Sequence, residues 1–248
     1  MKSESLLEFE WKLPRGVRAA FTTRLGGVSQ APWDSFNVAT HVNDEPAHVA
    51  ANRARLRELL ELSAEPAWLN QVHGVAVHDL DASAPSAVPV TADASIATRA
   101  GAACVVMVAD CLPVLFASRD GSRIGAAHAG WRGLASGVLE QTVKALRVPG
   151  SQLTAWMGPC ISREHFEVGE EVREVFVTQN ALADAYFDRN GRGRWQADLV
   201  GLSRFKLEQL GVIDIHGGNW CTSSDRQRFY SHRRDGKGGR LAALIWHR

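Results

Sequence analysis

Residues 105–117 read "VVMVADCLPVLFA", a near-continuous apolar run of the kind that forms a buried strand. Asp110 and Cys111 interrupt it, and Pro113 follows. An aspartate is rarely buried without a partner. A proline has no N–H for the ladder and is kept out of central strand positions. The run therefore predicts two strands, at 104–109 and 112–117, joined where Asp-Cys breaks the pattern. A rule broken in the middle of a core segment marks a candidate functional position.

Working outward, "SRDGS" (118–122) reads as a turn and "RIGAAHAGWRG" (123–133) opens with a strand at 123–128. A hairpin centred near Asp120 brings Cys111 roughly opposite His128, with side chains ~5 Å apart. A cysteine beside a histidine has two chemical uses. The imidazole can lower the thiol pKa and make a nucleophile, or both can bind a borderline metal such as zinc or copper. His73, in "LNQVHG" (69–74), stands at a strand mouth and is the third candidate. Two histidines and one cysteine with an open fourth position is the pattern of a catalytic zinc site. The plain alternative is a packed thiol and ordinary histidines, of which the chain has nine.

Composition bounds the function class. The 248 residues are 45% hydrophobic and 22% charged, which is globular. Lys and Arg number 28 against 27 Asp and Glu, so no basic excess points to nucleic acid. The opening "MKSESLLEFEWKLPRG" has no apolar core of a signal peptide, and no apolar run is long enough for a membrane span. Cys104, Cys111, Cys160 and Cys221 show no Cys-x-x-Cys spacing, which excludes a zinc ribbon and favours reduced thiols. A cytoplasmic enzyme with a small-molecule substrate and no membrane partner is expected, as one domain over 1–248, with a monomer favoured.

Helices are expected within 43–62, with Asn43 or Asp44 as N-cap, and within 133–148, 170–180 and 198–211, the last with Asp198 as cap and Gly211 at its end. Further strands are expected at 17–22, 75–80, 153–157, 213–216 and 241–246, and a loop at 81–95. Strands outnumber helices without a clean alternation. The fold class is α+β, with mixed β-sheets at the centre flanked by helices.

Three glycine-rich stretches carry arginines. "HAGWRGLASG" (128–137) holds Arg132 before a helix, "FTTRLGGVS" (21–29) holds Arg24, and "FYSHRRDGKGGR" (229–240) holds Arg233, Arg234, Lys237 and Arg240. Each reads either as an anion seat or as a packed or solvated turn.

Taken in order, "FTTRLGGVS", "NQVHG", "VADCLPV", "HAGWRG", "FEVGEEV" and "FYSHRRDGKGGR" resemble the motifs of the bacterial laccase-domain family. They run from about residue 20 to the end. Members were first called multicopper polyphenol oxidases and are now described as purine nucleoside phosphorylases with adenosine deaminase and methylthioadenosine phosphorylase activity. The resemblance implies mixed β-sheets flanked by helices, related to a fold of Cys-His toxin deamidases. It implies a metal site, zinc with copper as the alternative, from His73, Cys111 and His128, which are also the catalytic residues. It further implies purine nucleosides and phosphate as substrates, with Arg24, Gln71, Arg132 and Arg233 as binding residues. One departure is Val108, where the family has threonine; a lost hydroxyl there alters at most a hydrogen bond behind the ligands. Asp93 and Asp110 are candidates to transfer a proton or orient a ligand, and Asp110 equally to cap a turn. The rival readings are a copper-dependent polyphenol oxidase, for which one compact set of two histidines and one cysteine supplies too few ligands, a metal-free Cys-His hydrolase or amidase, and a non-catalytic metal-bound scaffold.

Overall fold

The interrupted run forms two strands that belong to different sheets. A computed structural model describes residues 4–82 and 88–248. The first half of the run is β6 (Ala103–Val108) and the second is β7 (Leu112–Ser118), following β1 (Val17–Phe21), β2 (Leu69–Asn70), β3 (Val77–Asp79), β4 (Val90–Thr91) and β5 (Ala94–Ala97). Then come β8 (Ile124–Ala129), β9 (Leu153–Met157), β10 (Glu167–Val168), β11 (Phe187–Arg189), β12 (Trp195–Ala197), β13 (Asp214–Gly217) and β14 (Leu241–His247). The helices are α1 (Pro46–Leu59), α2 (Trp131–Ser136), α3 (Val138–Leu146), α4 (Glu170–Gln179), α5 (Leu199–Gln209) and the short α6 (His232–Asp235).

A three-stranded sheet of order β1-β14-β6 lies against a six-stranded sheet of order β13-β9-β7-β8-β5-β3. Period-2 alternation assigns each side chain to a layer. Cys104, Val106 and Val108 of β6, with Leu241, Ala243 and Ile245 of β14, face Leu115, Ala117, Ile124 and Ala126 of the larger sheet. The opposite faces of β6 and β14, Ala103, Val105, Met107, Ala242 and Leu244, pack under Leu56 of α1 with Phe36 and Trp68. The outer face of the larger sheet, Leu112, Val114, Phe116 and Ala127 among others, is covered by Leu139 and Val143 of α3 and by Phe176 and Leu202 of α4 and α5. Helix, sheet, sheet and helices thus form four layers. Both sheets are buried on both faces, which is why their strands read as apolar runs rather than alternating ones. The class is mixed α+β, as the sequence predicts.

Pro113 is tolerated in a central strand for a geometric reason. In the β7–β8 ladder it pairs with His128, whose own N–H turns the other way and donates to the Asp93 carbonyl at 2.7 Å. Pro113 therefore directs its backbone groups toward β9. Its carbonyl accepts from Gly158 N, and its missing N–H falls past Met157, where β9 ends. The corner between the sheets is Ala109–Cys111, with Asp110 in the left-handed region at φ 86°, a conformation that aspartate adopts more readily than most residues. Its carboxyl group accepts from Thr222 Oγ1 at 2.6 Å, Ser231 Oγ at 3.0 Å and Arg233 N at 2.6 Å. Its carbonyl accepts from Ile161 N. Asp110 is buried because three donors meet it.

Several expectations need correction. The helix expected at 133–148 is two helices, α2 and α3, because Gly137 at φ 102° takes the left-handed turn between them. The N-cap of α1 is Glu45, not Asn43 or Asp44, since the Asp44 carboxyl group is engaged by Ser29 and Asn37. The stretch 81–95 contains β4 and the start of β5, and its residues 83–87 lie outside the described residues. Asp198 caps α5 by accepting from Gly201 N, as expected.

Replacing Asp110 by alanine leaves two buried donors and one part-buried donor without an acceptor. We expect Asp110→Ala to lose about 3 kcal/mol of stability, at the scale of a few hydrogen bonds to a buried acceptor. Urea denaturation checks this through a lowered midpoint at unchanged slope.

Candidate metal centre

His73, Cys111 and His128 come from three separate segments: the loop after β2, the corner before β7 and the mouth of β8. Their ligand atoms lie within 4.8 Å of one another. Cys111 Sγ is 3.7 Å from His73 Nε2. The two imidazoles meet edge-on, with ring centroids 4.8 Å apart. His128 is buried, Cys111 half-buried and His73 exposed, so the cluster is walled on one side and open to solvent on the other. Cys111 and His128 are not cross-strand partners, as a simple hairpin suggests. The register pairs His128 with Pro113, and Cys111 sits beyond the end of the ladder as a diagonal neighbour.

Asp93, fully buried, assembles the cluster. Its carboxylate accepts from the amides of Val72, His73 and Gly74 at 3.1, 2.9 and 2.7 Å and stands 2.9 Å from His128 Nδ1. The first three bonds fold the loop back and hold His73 at φ 61°. The fourth fixes the His128 ring, with Nδ1 donating to Asp93 and Nε2 turned to the cluster. Burial works against the Asp93 charge, but the His128 and backbone hydrogen bonds outweigh it and hold its pKa below the ordinary value.

The same balance governs the other pair. Burial pushes the Cys111 thiol up, and the charge and hydrogen bonds of His128 and His73 more than reverse this, so the thiol is lowered. Burial lowers His128, and the Cys111 thiolate and Asp93 more than restore it, so His128 is raised. The protein alone thus favours thiolate beside imidazolium, and a cation can replace the imidazolium proton. A thiolate and two imidazoles, one backed by a carboxylate, form a donor set that fits zinc or another borderline ion.

Glycine is required beside the cluster. A Cβ on Gly130 would stand 2.8 Å from both Cys111 Sγ and His73 Cδ2. The first glycine of "GWRG" therefore makes room for the ligands.

The expected binding residues divide. Arg132 is exposed, stands two residues after Gly130 and lies over the Trp131 ring at 4.4 Å. Arg24 is drawn into the protein, donating to the Asp34 carbonyl and carboxyl group and lying over Tyr230. Gln71 uses both ends of its amide on Met107, accepting from its N–H at 2.7 Å and donating to its carbonyl at 2.9 Å. It anchors the His73 loop to β6. Arg233 donates its N–H to Asp110 and its guanidinium to the carbonyls of His165 and Glu167. Sequence reading missed His41. It lies with Trp33, Lys237 and Arg240 along a cleft of about 490 Å³. The Arg240 charge is within range of Cys111 and Asp110, and His41 within range of His128. Nothing local in "ATHVN" signals this, because the neighbours of His41 are far away in the chain.

We expect Asp93→Asn to weaken metal affinity about 10–100-fold, the usual effect of removing a carboxylate behind a ligand histidine. Competition with a chromophoric chelator measures it, and an unchanged affinity would reduce Asp93 to a loop staple.

Residues 18–248 match the family model described as multi-copper polyphenol oxidoreductase laccase. A purine nucleoside phosphorylase of Pseudomonas aeruginosa is 52% identical over 238 residues, covering 96% of each chain. A purine nucleoside phosphorylase of Escherichia coli is 46% identical over 237 residues, again covering 96% of each. A crystal structure of a Neisseria meningitidis protein superimposes with a TM-score of 0.92 at 43% identity, over 98% of this chain and 99% of that one. A Bacillus licheniformis protein gives 0.88 at 30% identity, over 94% and 93%. With the family model spanning all but its first residues, the chain belongs to the multi-copper polyphenol oxidoreductase laccase family.

Proposed function

We propose that the chain is a zinc-dependent enzyme of purine nucleosides, acting as one domain in the cytoplasm. It catalyses phosphorolysis of adenosine, inosine, guanosine and methylthioadenosine, and deamination of adenosine. The observation that carries this reading is the convergence of His73, Cys111 and His128 over Asp93, open to solvent on one side. The 52% and 46% identical relatives named purine nucleoside phosphorylases support the substrate class.

When bound, zinc supplies Lewis acidity to an oxygen held at the centre. The remaining work falls to the chain. Phosphorolysis requires phosphate beside C1′ of the ribose and a proton for the departing purine nitrogen. Arg132, solvent-accessible and two residues after Gly130, suits the anion. Trp33 offers a face for a flat base, and Arg240 and Lys237 offer positive charge, in a cleft whose volume is typical for small-molecule sites. Deamination instead requires a water aimed at C6 of the purine, and the exposed His73 side of the cluster is where solvent reaches the centre. Arg24, Gln71 and Arg233 serve as positioning residues, since their polar groups are engaged by the protein itself.

A polyphenol oxidase would follow from the description of the family, but such chemistry calls for several coppers. Among the described residues one group of three converges. Copper can still enter that group, since it outcompetes zinc at most nitrogen and sulfur sites. Protein purified without added copper is expected to contain zinc and to turn over inosine with phosphate. Phenol oxidation surviving copper removal would favour the oxidase. Nucleoside-independent hydrolysis that persists after chelation but dies with Cys111→Ser would favour a metal-free thiol enzyme.

His73→Ala, Cys111→Ala and His128→Ala are each expected to abolish nucleoside turnover and metal retention, with circular dichroism unchanged. A wild-type rate in any one removes that residue from the site. Arg132→Ala is expected to raise KM for phosphate more than KM for nucleoside; equal effects would return Arg132 to packing on Trp131.

A further inference from the structure

A second thiol cluster lies apart from the ligand trio. Cys160 and Cys221 face each other as a parallel bridge pair between the segments after β9 and after β13. Thr222 N donates to the Cys160 carbonyl at 2.9 Å, and Cys160 N to the Trp220 carbonyl at 3.4 Å. Residues paired across a ladder point their side chains to the same face, and Cys221 is near enough for its charge to act on Cys160; a small approach of the two strands brings the Cβ atoms to the about 3.5–4.5 Å of a disulfide. The two are unlike in setting. Cys160 is 1% exposed, while Cys221 is half-buried and reachable from solvent. Cys221 Sγ accepts from Ser162 N at 3.4 Å and lies 3.6 Å from His165 Nδ1. Ser162 Oγ is 3.2 Å from the same nitrogen. Burial raises the Cys221 thiol, and hydrogen bonds from Ser162 and Ser224 more than offset this, so its pKa falls below the ordinary value. Burial pushes Cys160 the other way, well above it.

An accessible thiol supplied with donors, beside a histidine and opposite a buried second thiol, is the arrangement that reacts with peroxides and then closes a disulfide. We propose that Cys221 is a hydroperoxide-reactive site resolved by Cys160. In the first step the Cys221 thiolate sulfur attacks one peroxide oxygen. An S–O bond forms and the O–O bond breaks. Sulfur is oxidised by two electrons, and the leaving oxygen departs as an alcohol, or as water from hydrogen peroxide, with a proton that His165 is placed to pass. In the second step the Cys160 sulfur displaces the hydroxyl group from the Cys221 sulfenic acid. An S–S bond forms, the S–O bond breaks, and the hydroxyl leaves as water with the Cys160 proton. The sum is two thiols and one hydroperoxide giving one disulfide, one alcohol and one water. The other cysteines lack this chemistry: Cys104 is buried with its thiol pushed up to about 12, and Cys111 is a metal ligand in the reading above.

The test treats the metal-loaded protein with a small excess of hydrogen peroxide, with and without dimedone, and maps the cysteines by peptide mass spectrometry. The expected result is a Cys160–Cys221 disulfide, seen as the loss of two hydrogens in the joined peptides. Cys160→Ser is expected to convert this into a dimedone adduct on Cys221, and Cys221→Ser to abolish both. Should the buried Cys160→Ser fail to fold, alkylation of the native wild-type protein decides. Cys221 should then react at least about tenfold faster than Cys104, as an activated thiol does, and prior peroxide treatment should block it reversibly by dithiothreitol. Oxidation that spares Cys221, or stops at its sulfenic acid in the wild type, would overturn the proposal.

Discussion

The buried carboxylate of Asp93 is the constraint on which the centre depends. A charge without solvent is costly unless every lone pair is used. Here three consecutive amides and an imidazole use them. One side chain thereby sets the path of the His73 loop and the orientation of the His128 ring. Cys111 needs a different device. It is placed by the corner at Asp110, whose carboxyl group is held by Thr222, Ser231 and Arg233. Two buried aspartates thus determine where the three candidate ligands stand.

The frame around them explains why such costly groups persist. The larger sheet is covered on one face by the smaller sheet and on the other by helices. The candidate ligands sit at the end of that sheet, where the ladder stops and backbone groups must find other partners. Pro113 and Gly158 finish the β7–β9 edge without an unpaired N–H. Asp93 extends the β5–β8 edge through its own carbonyl and then turns its side chain inward. Strand ends are where polar side chains can be aimed at one point while the strands themselves remain in an apolar core.

Much of this was legible in the sequence. The eight expected strands are present, because long apolar runs bounded by turns carry their own signal. The offending "ADCLPV" marked Cys111, the hairpin added His128 and "LNQVHG" added His73, and the three side chains do converge. The strand β5 escaped notice because "ASIA" has small side chains and a weak apolar signal, and the paired strands of β10 to β12 are two or three residues long. The arginines and Gln71 were harder for another reason. A polar side chain near a motif looks ready for a ligand until its partners are known, and the partners of Gln71 and Arg24 include Met107 and Arg226, distant in the chain. The role of Asp93 could be suspected but not separated from proton transfer, since its four donors lie 19 to 35 residues away.

The three donors that fix Asp110 lie 112, 121 and 123 residues downstream of it. As a nascent chain leaves the ribosome, both histidines and the cysteine emerge well before those donors do. The corner that aims Cys111 cannot close until they arrive, so the thiol stays unplaced while the intervening 112 to 123 residues are made. The geometry of the candidate metal centre is therefore completed late, when the far end of the polypeptide folds over the corner.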